Sequence, residues 1–131
     1  MRTVLFVCVG NAGRSQMAEA FFNQAAGGKA RAISAGTKPA SAVDPRTLEV
    51  MRELGIDISA ARPKALTVDM LEQADRVVTM GCGGEGVCPA SFVETEDWQL
   101  EDPKGKSLEE VRRIRDEIRA RVTRLLGRVK A

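Results

Sequence analysis

VCVGNAGRSQMAE, residues 7 to 19, decides how this chain is read. It closes a short apolar run, TVLFVCV from Thr3 to Val9, whose β-branched, uncharged residues suit a central strand buried on both faces. Gly10 and Gly13 then turn the chain. From Arg14 or Ser15 to Ala26, Met17, Ala18, Phe21, Phe22 and Ala25 share one side of a helix that Gly27-Gly28 stops. The stretch therefore predicts a buried strand, a tight loop and a helix, with Cys8 at the strand's end.

Cys8 and Arg14 have the spacing C-x5-R, with Ser15 next. Peptide N–H groups from Val9 through Gly10, Asn11, Ala12 and Gly13 to Arg14 can converge on one concavity, and the helix N-terminus strengthens its positive potential. A tetrahedral oxyanion is the expected guest. Arg14 adds a permanently charged fork that holds two oxygens. The same field favours thiolate over thiol at Cys8, and Ser15 has a hydroxyl to donate to it. Taken alone, C-x5-R reads equally well with Cys8 as a small buried apolar side chain. The strand-loop-helix setting and the glycines favour a nucleophile beneath an anion. No G-x-x-x-x-G-K-[ST] loop is present, since Gly10 to Gly13 has no lysine after it, so a small oxyanion is expected rather than a nucleotide.

Working outward, ARAIS-Ala35 at 30 to 35 reads as a second strand ending at Gly36. Asp44-Pro45 starts a helix that carries Leu48, Met51 and Leu54 to Gly55. Another helix begins near Thr67 and turns Met70 and Leu71 inward, before the strand RVVTM at 76 to 80. Residues 81 to 90, GCGGEGVCPA, break regular structure. SFVET at 91 to 95 is an expected edge strand, and Asp97 to Lys106 an expected loop interrupted by Asp102-Pro103. Ser107 and Glu110 form a capping box for a last helix, with Val111, Ile114, Ile118, Val122 and Leu125 inward to about residue 129. The alternation predicts a single α/β domain over 1–131, a four-stranded parallel sheet with helices on both faces. Ligands of such sheets bind beyond the carboxyl ends of the strands, where the Cys8 loop, the glycine loop and the Asp102 loop all fall.

Composition narrows the chemistry. The chain has 131 residues, 20 basic against 18 acidic, and its basic excess lies mostly in the mixed-sign last helix, so no nucleic-acid or membrane partner is expected. No apolar run is long enough to span a membrane and no secretory signal is seen, so the expected location is the cytoplasm. Three cysteines, an odd number, then argue for reduced thiols. Histidine is absent, which excludes Cys-His and Ser-His hydrolytic pairs. Cys82 and Cys88, with five residues between them and one other cysteine in the chain, fall short of a closed zinc site, and no metal or cofactor is expected.

The chain resembles the low-molecular-weight protein tyrosine phosphatases and, among them, the three-cysteine, thioredoxin-coupled arsenate reductases. The resemblance runs through VCVGNAGRSQMAE, SAGT at 34 to 37, VVTMGC at 78 to 82, CP at 88 to 89 and EDPKGK at 101 to 106. It implies that Asp102 is a general acid, which partial burial would help to keep neutral. It implies that Cys8 attacks arsenate, that Cys82 then attacks Cys8 to release arsenite, and that Cys88 attacks Cys82 to bring the disulfide to the surface for thioredoxin or a similar thiol reductant. Phosphate and sulfate would compete, and the expected state is a monomer. The phosphatases usually carry aromatic residues beyond the acid's proline, whereas this chain has Lys104 there and no tyrosine anywhere. Some relatives hold potassium with an asparagine, a glutamate, a serine and an aspartate. Asn11, Glu19 and Ser34 match three of them, but Lys64 falls near the fourth, so no potassium dependence is expected.

Overall fold

The computed structural model describes residues 2–80 and 94–130. Strand β1, Arg2–Cys8, is central, because Val4 to Val7 are all fully buried and no side of this segment tolerates water. It pairs in parallel with β2, Ala30–Gly36, on one side and with β3, Arg76–Met80, on the other. β4, Glu94–Asp97, adds in parallel to β3, giving the order β2-β1-β3-β4. Parallel neighbours require crossovers, which α1, Arg14–Ala26, supplies between β1 and β2. α2, Pro45–Arg52, and α3, Val68–Gln73, precede β3, and α4, Leu108–Lys130, closes the chain.

The two faces are covered unequally. Val4, Phe6 and Cys8 point to the same side as Val78 and Met80, where α1, α2 and α4 bring Met17, Phe22, Met51, Ile118, Val122 and Leu125. Phe6 anchors this layer, edge-on to Phe22 at 6.0 Å and tilted against Trp98 at 5.7 Å. The opposite face, Leu5, Val7, Ala35 and Val77, is covered more thinly, with half-buried Met70 and Leu71 of α3 packed on it. Helices thus lie on both faces as the alternation predicts, and no residue of α3 is fully buried.

Local signals explain the boundaries. Gly27, at φ 58°, takes the left-handed turn that ends α1. Asp44 accepts from the Arg46 N–H at 2.9 Å and starts α2, whereas Gly55, at φ 76°, sits in the turn after that helix. Ser107 and Glu110 form the expected capping box, with the Glu110 N–H donating to Ser107 Oγ at 3.2 Å. The edge of β2 is blunted by Asn23, whose carboxamide both donates to and accepts from the Ala32 backbone.

The fourth strand needs correction. It was expected at 91 to 95; it runs over Glu94–Asp97, and residues 91 to 93 lie outside those described. The reason is side-chain pairing that a polar Glu-Thr-Glu-Asp run conceals. Thr79 Oγ1 donates to Asp97 Oδ1 at 2.7 Å, and Arg76 pairs with Glu96 at 3.5 Å across the same two strands. Glu96 also accepts from Trp98 Nε1 at 2.9 Å and from Arg128 of α4 at 3.1 Å, fastening the sheet edge to the last helix.

Partial burial pushes the Glu96 carboxyl up, but the Trp98 N–H and the Arg128 and Arg76 guanidinium groups outweigh it and hold the group below its ordinary 4.5. A depressed folded-state value contributes stability above about pH 4.5 that is lost as pH falls through the folded value. Glu53, Asp57 and Glu110 are held low too, by Arg112, Ser59 and Ser107 respectively, and act in the same direction. Glu96→Gln is therefore expected to lower the urea midpoint at neutral pH and to flatten, in part, the loss of stability on acidification. A variant whose midpoint falls as steeply with acid as the parent's would contradict this.

Candidate active site

The loop after β1 is held from outside. The carbonyl oxygens of Cys8, Val9, Gly10 and Ala12 accept from the N–H groups of Thr37, Lys38, Ala40 and Asp44, at 3.1, 2.8, 2.9 and 2.9 Å. In a trans peptide the following N–H points opposite to the carbonyl, and no cis bond occurs among the described residues. Turning four carbonyls outward thus turns the N–H groups of Val9, Gly10, Asn11 and Gly13 toward the pocket. Asn11 carries the bend with φ 51°, a left-handed conformation that asparagine tolerates. Its N–H reaches Cys8 Sγ at 3.2 Å.

Two glycines allow the close approach. A Cβ on Gly36 would lie 2.6 Å from the Val9 carbonyl oxygen and 3.1 Å from Asn11, so only glycine lets the end of β2 meet the loop. A Cβ on Gly13 would lie 2.7 Å from Pro103 Cγ, so that glycine lets the Asp102-Pro103 segment seat on the loop.

Cys8 is 2% exposed, and Ser15 Oγ lies 2.9 Å from its sulfur. Asn11 Nδ2, which can only donate, points at the same Ser15 oxygen at 2.7 Å. Ser15 must accept there, which leaves its own proton for Cys8. Asn11 Nδ2 also donates to Ser34 Oγ at 3.0 Å, and Ser34 passes its proton to Glu19 at 2.8 Å. Asn11 Oδ1 accepts from the Lys64 N–H at 2.9 Å and from Gln16 Nε2 at 3.1 Å. Lys64 Nζ lies 3.9 Å from Glu19 Oε1.

Arg14 opens α1 with its side chain 5% exposed. Nη1 donates to the Leu100 carbonyl at 3.2 Å, and Nη2 lies 3.7 Å from Asp102 Oδ2. The guanidinium is thereby aimed along the pocket and tethers the loop that carries Asp102. The pocket, about 510 Å³, is lined by the Cys8–Arg14 loop and closed by aliphatic Ala40, Ala42, Val43, Pro45 and Pro103, with Lys38, Asp44, Asp102 and Lys104 around it.

The structure thus brings together Cys8, the whole Val9–Arg14 loop, Ser15 and Asp102. It differs from the expectation for Asp102 in one respect: the side chain is 59% exposed, not partly buried, because Oδ1 accepts from the Lys104 N–H at 3.0 Å in a surface turn while Pro103 takes the buried position. Cys82 and Cys88, and the glycine loop that holds them, lie outside the described residues. Sequence reasoning missed the backing segment 37–44, the Leu100 carbonyl and Gln16; only Gly36, a glycine where a strand meets the loop, pointed toward the first. No group of three potential metal-ligating side chains occurs among the described residues.

A buried thiol at the floor of an N–H-lined loop, an arginine fork beside it and a carboxyl across it define an α/β protein built to receive a tetrahedral oxyanion against a cysteine. Comparison with known proteins makes this specific. The chain belongs to the low molecular weight phosphotyrosine protein phosphatase family, whose profile matches residues 3–131. A putative arsenate reductase of Halobacterium salinarum is 42% identical, over 92% of this chain and 87% of its own. An arsenate reductase of Bacillus cereus is 40% identical, over 94% of this chain and 92% of its own. Among solved structures, a thioredoxin-dependent arsenate reductase of Corynebacterium glutamicum superposes with TM-score 0.86 and 40% identity on 99% of this chain, which spans 62% of that longer protein. An arsenate reductase in a phosphate-binding state gives 0.88 at 35% identity, covering 98% of each. An arginine phosphatase of Geobacillus stearothermophilus gives 0.83 at 25% identity, covering 99% of this chain and 94% of that one.

Gly36→Ala is the sharpest test of the loop, since the added methyl must displace the Val9 carbonyl and with it the inward N–H groups. Phosphate affinity, read by calorimetric titration, is expected to fall on the order of tenfold or more, as for loss of a hydrogen bond to a charged group at about 1.5–3 kcal/mol. Unchanged affinity in a folded variant would contradict the close approach.

Proposed function

We propose that this protein reduces arsenate to arsenite, with its own three thiols as the path for electrons. The observation that carries the reading is Cys8 Sγ, placed between the Ser15 hydroxyl and the Asn11 N–H at the floor of the oxyanion loop. Those two donors aim at the sulfur, and Arg14 with the loop N–H groups would hold three arsenate oxygens in line for its attack.

In the first step the Cys8 thiolate displaces one arsenate oxygen, which leaves as water after protonation, and an S–As bond forms. Asp102, across the pocket, is the group we assign to that protonation. Cys82 then attacks the sulfur of Cys8. The S–As electron pair stays with arsenic, which leaves as arsenite, and a Cys8–Cys82 disulfide remains. Cys88 attacks Cys82, frees Cys8 as thiolate and carries the disulfide to a partner. Thioredoxin is the reductant we favour, on the name of the Corynebacterium relative. We place the reaction in the cytoplasm and expect a monomer. Among the described residues no helix is long and apolar enough to cross a membrane.

A phosphomonoesterase is the second reading, favoured by the family and by the arginine phosphatase likeness. There the same adduct would form on phosphorus and water would finish the cycle. Against phosphotyrosine stands the pocket wall, which has no aromatic side chain among the described residues that line it. In favour of reduction stand the names of the more similar relatives and the two further cysteines.

The reading is tested by arsenate-dependent NADPH oxidation in the presence of thioredoxin and thioredoxin reductase. Cys8→Ser, Cys82→Ser and Cys88→Ser should each fall to background. Full activity in Cys88→Ser would remove the second disulfide transfer and point to glutathione or mycothiol as reductant.

Lys64 gives a separate expectation. Its ammonium lies 3.9 Å from Glu19, and in the sequence it falls near the last potassium ligand that the family resemblance implies for some relatives. Turnover and melting temperature are therefore expected to match in potassium and sodium chloride at equal ionic strength, and a rise specific to potassium would contradict it.

A further inference from the structure

Gln16 is 2% exposed, lies behind the loop, and is not among the residues that line the pocket. Its Nε2 nevertheless makes two bonds that bear on Cys8: one to Asn11 Oδ1 and one to the Arg62 carbonyl, both at 3.1 Å. A backbone carbonyl only accepts, so the Arg62 bond decides which end of the Gln16 carboxamide faces inward. That end, a donor, must meet an acceptor on Asn11, and so Oδ1 faces Gln16 and Nδ2 faces Ser15. Ser15 Oγ then accepts from Asn11, and its proton is left for Cys8.

We propose that Gln16 is a positioning residue for Cys8: it transmits the fixed polarity of the Arg62 carbonyl through Asn11 to Ser15, so that the serine hydroxyl donates to the thiolate instead of to Asn11. With the Asn11 amide reversed, Oδ1 would face Ser15 and draw its proton away from sulfur. Asn11 and Ser15 are both fully buried, so no water competes to reset the chain of bonds. Lys64 N–H is the other donor to Asn11 Oδ1, and it sits two residues from Arg62 on the segment that Gln16 itself pins. That segment keeps its bridge to Gly36, through bonds of 2.8 and 3.0 Å, so loss of Gln16 weakens the orientation without abolishing it. The inference rests on Cys8 as the nucleophile of the proposed reaction and holds equally for arsenate or phosphate.

The test reads Cys8 without turnover. In the full chain, alkylation by iodoacetamide is followed against pH, and the Cys8 peptide is quantified by mass spectrometry apart from Cys82 and Cys88. Gln16→Met conserves length and removes the donor. Its Cys8 alkylation is expected to slow about three- to tenfold on the acid side of the profile, a displacement of about half to one pH unit, and to converge with the parent at high pH. Arg14, Lys38, Asp44, Asp102 and Lys104, the charged groups around the same pocket, are untouched by the substitution. Asn23→Ala, which removes an exposed carboxamide bonded to the Ala32 backbone at the edge of β2, is expected to lower the melting temperature and leave the profile in place. A Gln16→Met profile that superposes on the parent's, whatever its melting temperature, overturns the proposal. Should Gln16→Met fail to fold, the parent decides by NMR: side-chain amide protons of Gln16 and Asn11 protected from exchange support it, and Gln16 protons exchanging as fast as an exposed amide overturn it.

Discussion

Everything at this site depends on one constraint: successive peptide N–H groups can face a single anion only if the carbonyls between them find partners elsewhere. Here the partners are the N–H groups of Thr37, Lys38, Ala40 and Asp44. That segment is delivered by topology, because β2 lies parallel beside β1 with Gly36 opposite Cys8, and the chain leaving β2 passes directly behind the loop leaving β1. Parallel pairing in turn requires a crossover, and the crossover is α1, whose first turn supplies Arg14 and Ser15. Loop, helix and backing segment are therefore consequences of one strand pairing. Replacing Gly36 with any side chain would act on all of them, which is why a residue with no chemistry of its own is so closely tied to the chemistry.

Beneath the loop lies a second constraint, a buried polar network with one permitted polarity. Asn11 is fully buried, and its carboxamide uses both donors and two acceptor positions, on Ser15, Ser34, Gln16 and Lys64. A buried group of this kind left without a partner costs roughly 1–3 kcal/mol, so the protein has reason to complete the set. The network leaves the core through Ser34 to Glu19 and Lys64, where opposite charges meet at the surface. Thr47 breaks the pattern: its Oγ1 is buried against the Gly13–Pro103 contact with no hydrogen-bond partner among the described residues.

Much of this was legible in the sequence, for reasons that differ by element. β1 is a continuous apolar run and β3 is one from Val77 to Met80, apart from Thr79, so burial on both faces leaves little choice; β2 is shorter on apolar residues, with Arg31 exposed, and is bounded by glycines; α4 declares itself through its capping box and the Val111–Leu125 stripe. β4 was misplaced because it is held by ion pairs and a threonine–aspartate bond, which have no periodicity to read. The cradle was legible because loop glycines and the C-x5-R spacing are local. Its support was not, since Leu100, Arg62 and the 37–44 backbone act through main-chain groups that every sequence possesses. The Asp-Pro step read only as a turn, and Asp102's place near the loop came from the position of its segment beyond the strand ends and from the family resemblance; its exposure depends on how Pro103 packs against Gly13, a contact between residues ninety apart.

The cradle alone does not separate reduction from hydrolysis. Phosphate and arsenate are both tetrahedral oxyanions, and inward N–H groups, an arginine fork and a thiolate in line serve either one equally. The two reactions part at the second step. Water can discharge a phosphocysteine without any change in oxidation state, whereas a thiol–arsenic bond yields arsenite only if a second thiolate attacks the sulfur of that bond and the bonding electron pair stays with arsenic. The decisive residues must therefore be thiols able to reach Cys8, and this chain's remaining two cysteines follow β3, whose last residue, Met80, lies opposite Cys8 in the sheet register. Cys82 is two residues beyond that pairing, close in sequence to the point where β3 ends beside the nucleophile. The parallel sheet that aligns the oxyanion loop thus ends β3 beside Cys8, two residues before Cys82 in the sequence, and that sequence position is the support for the reductive reading we propose over the hydrolytic one.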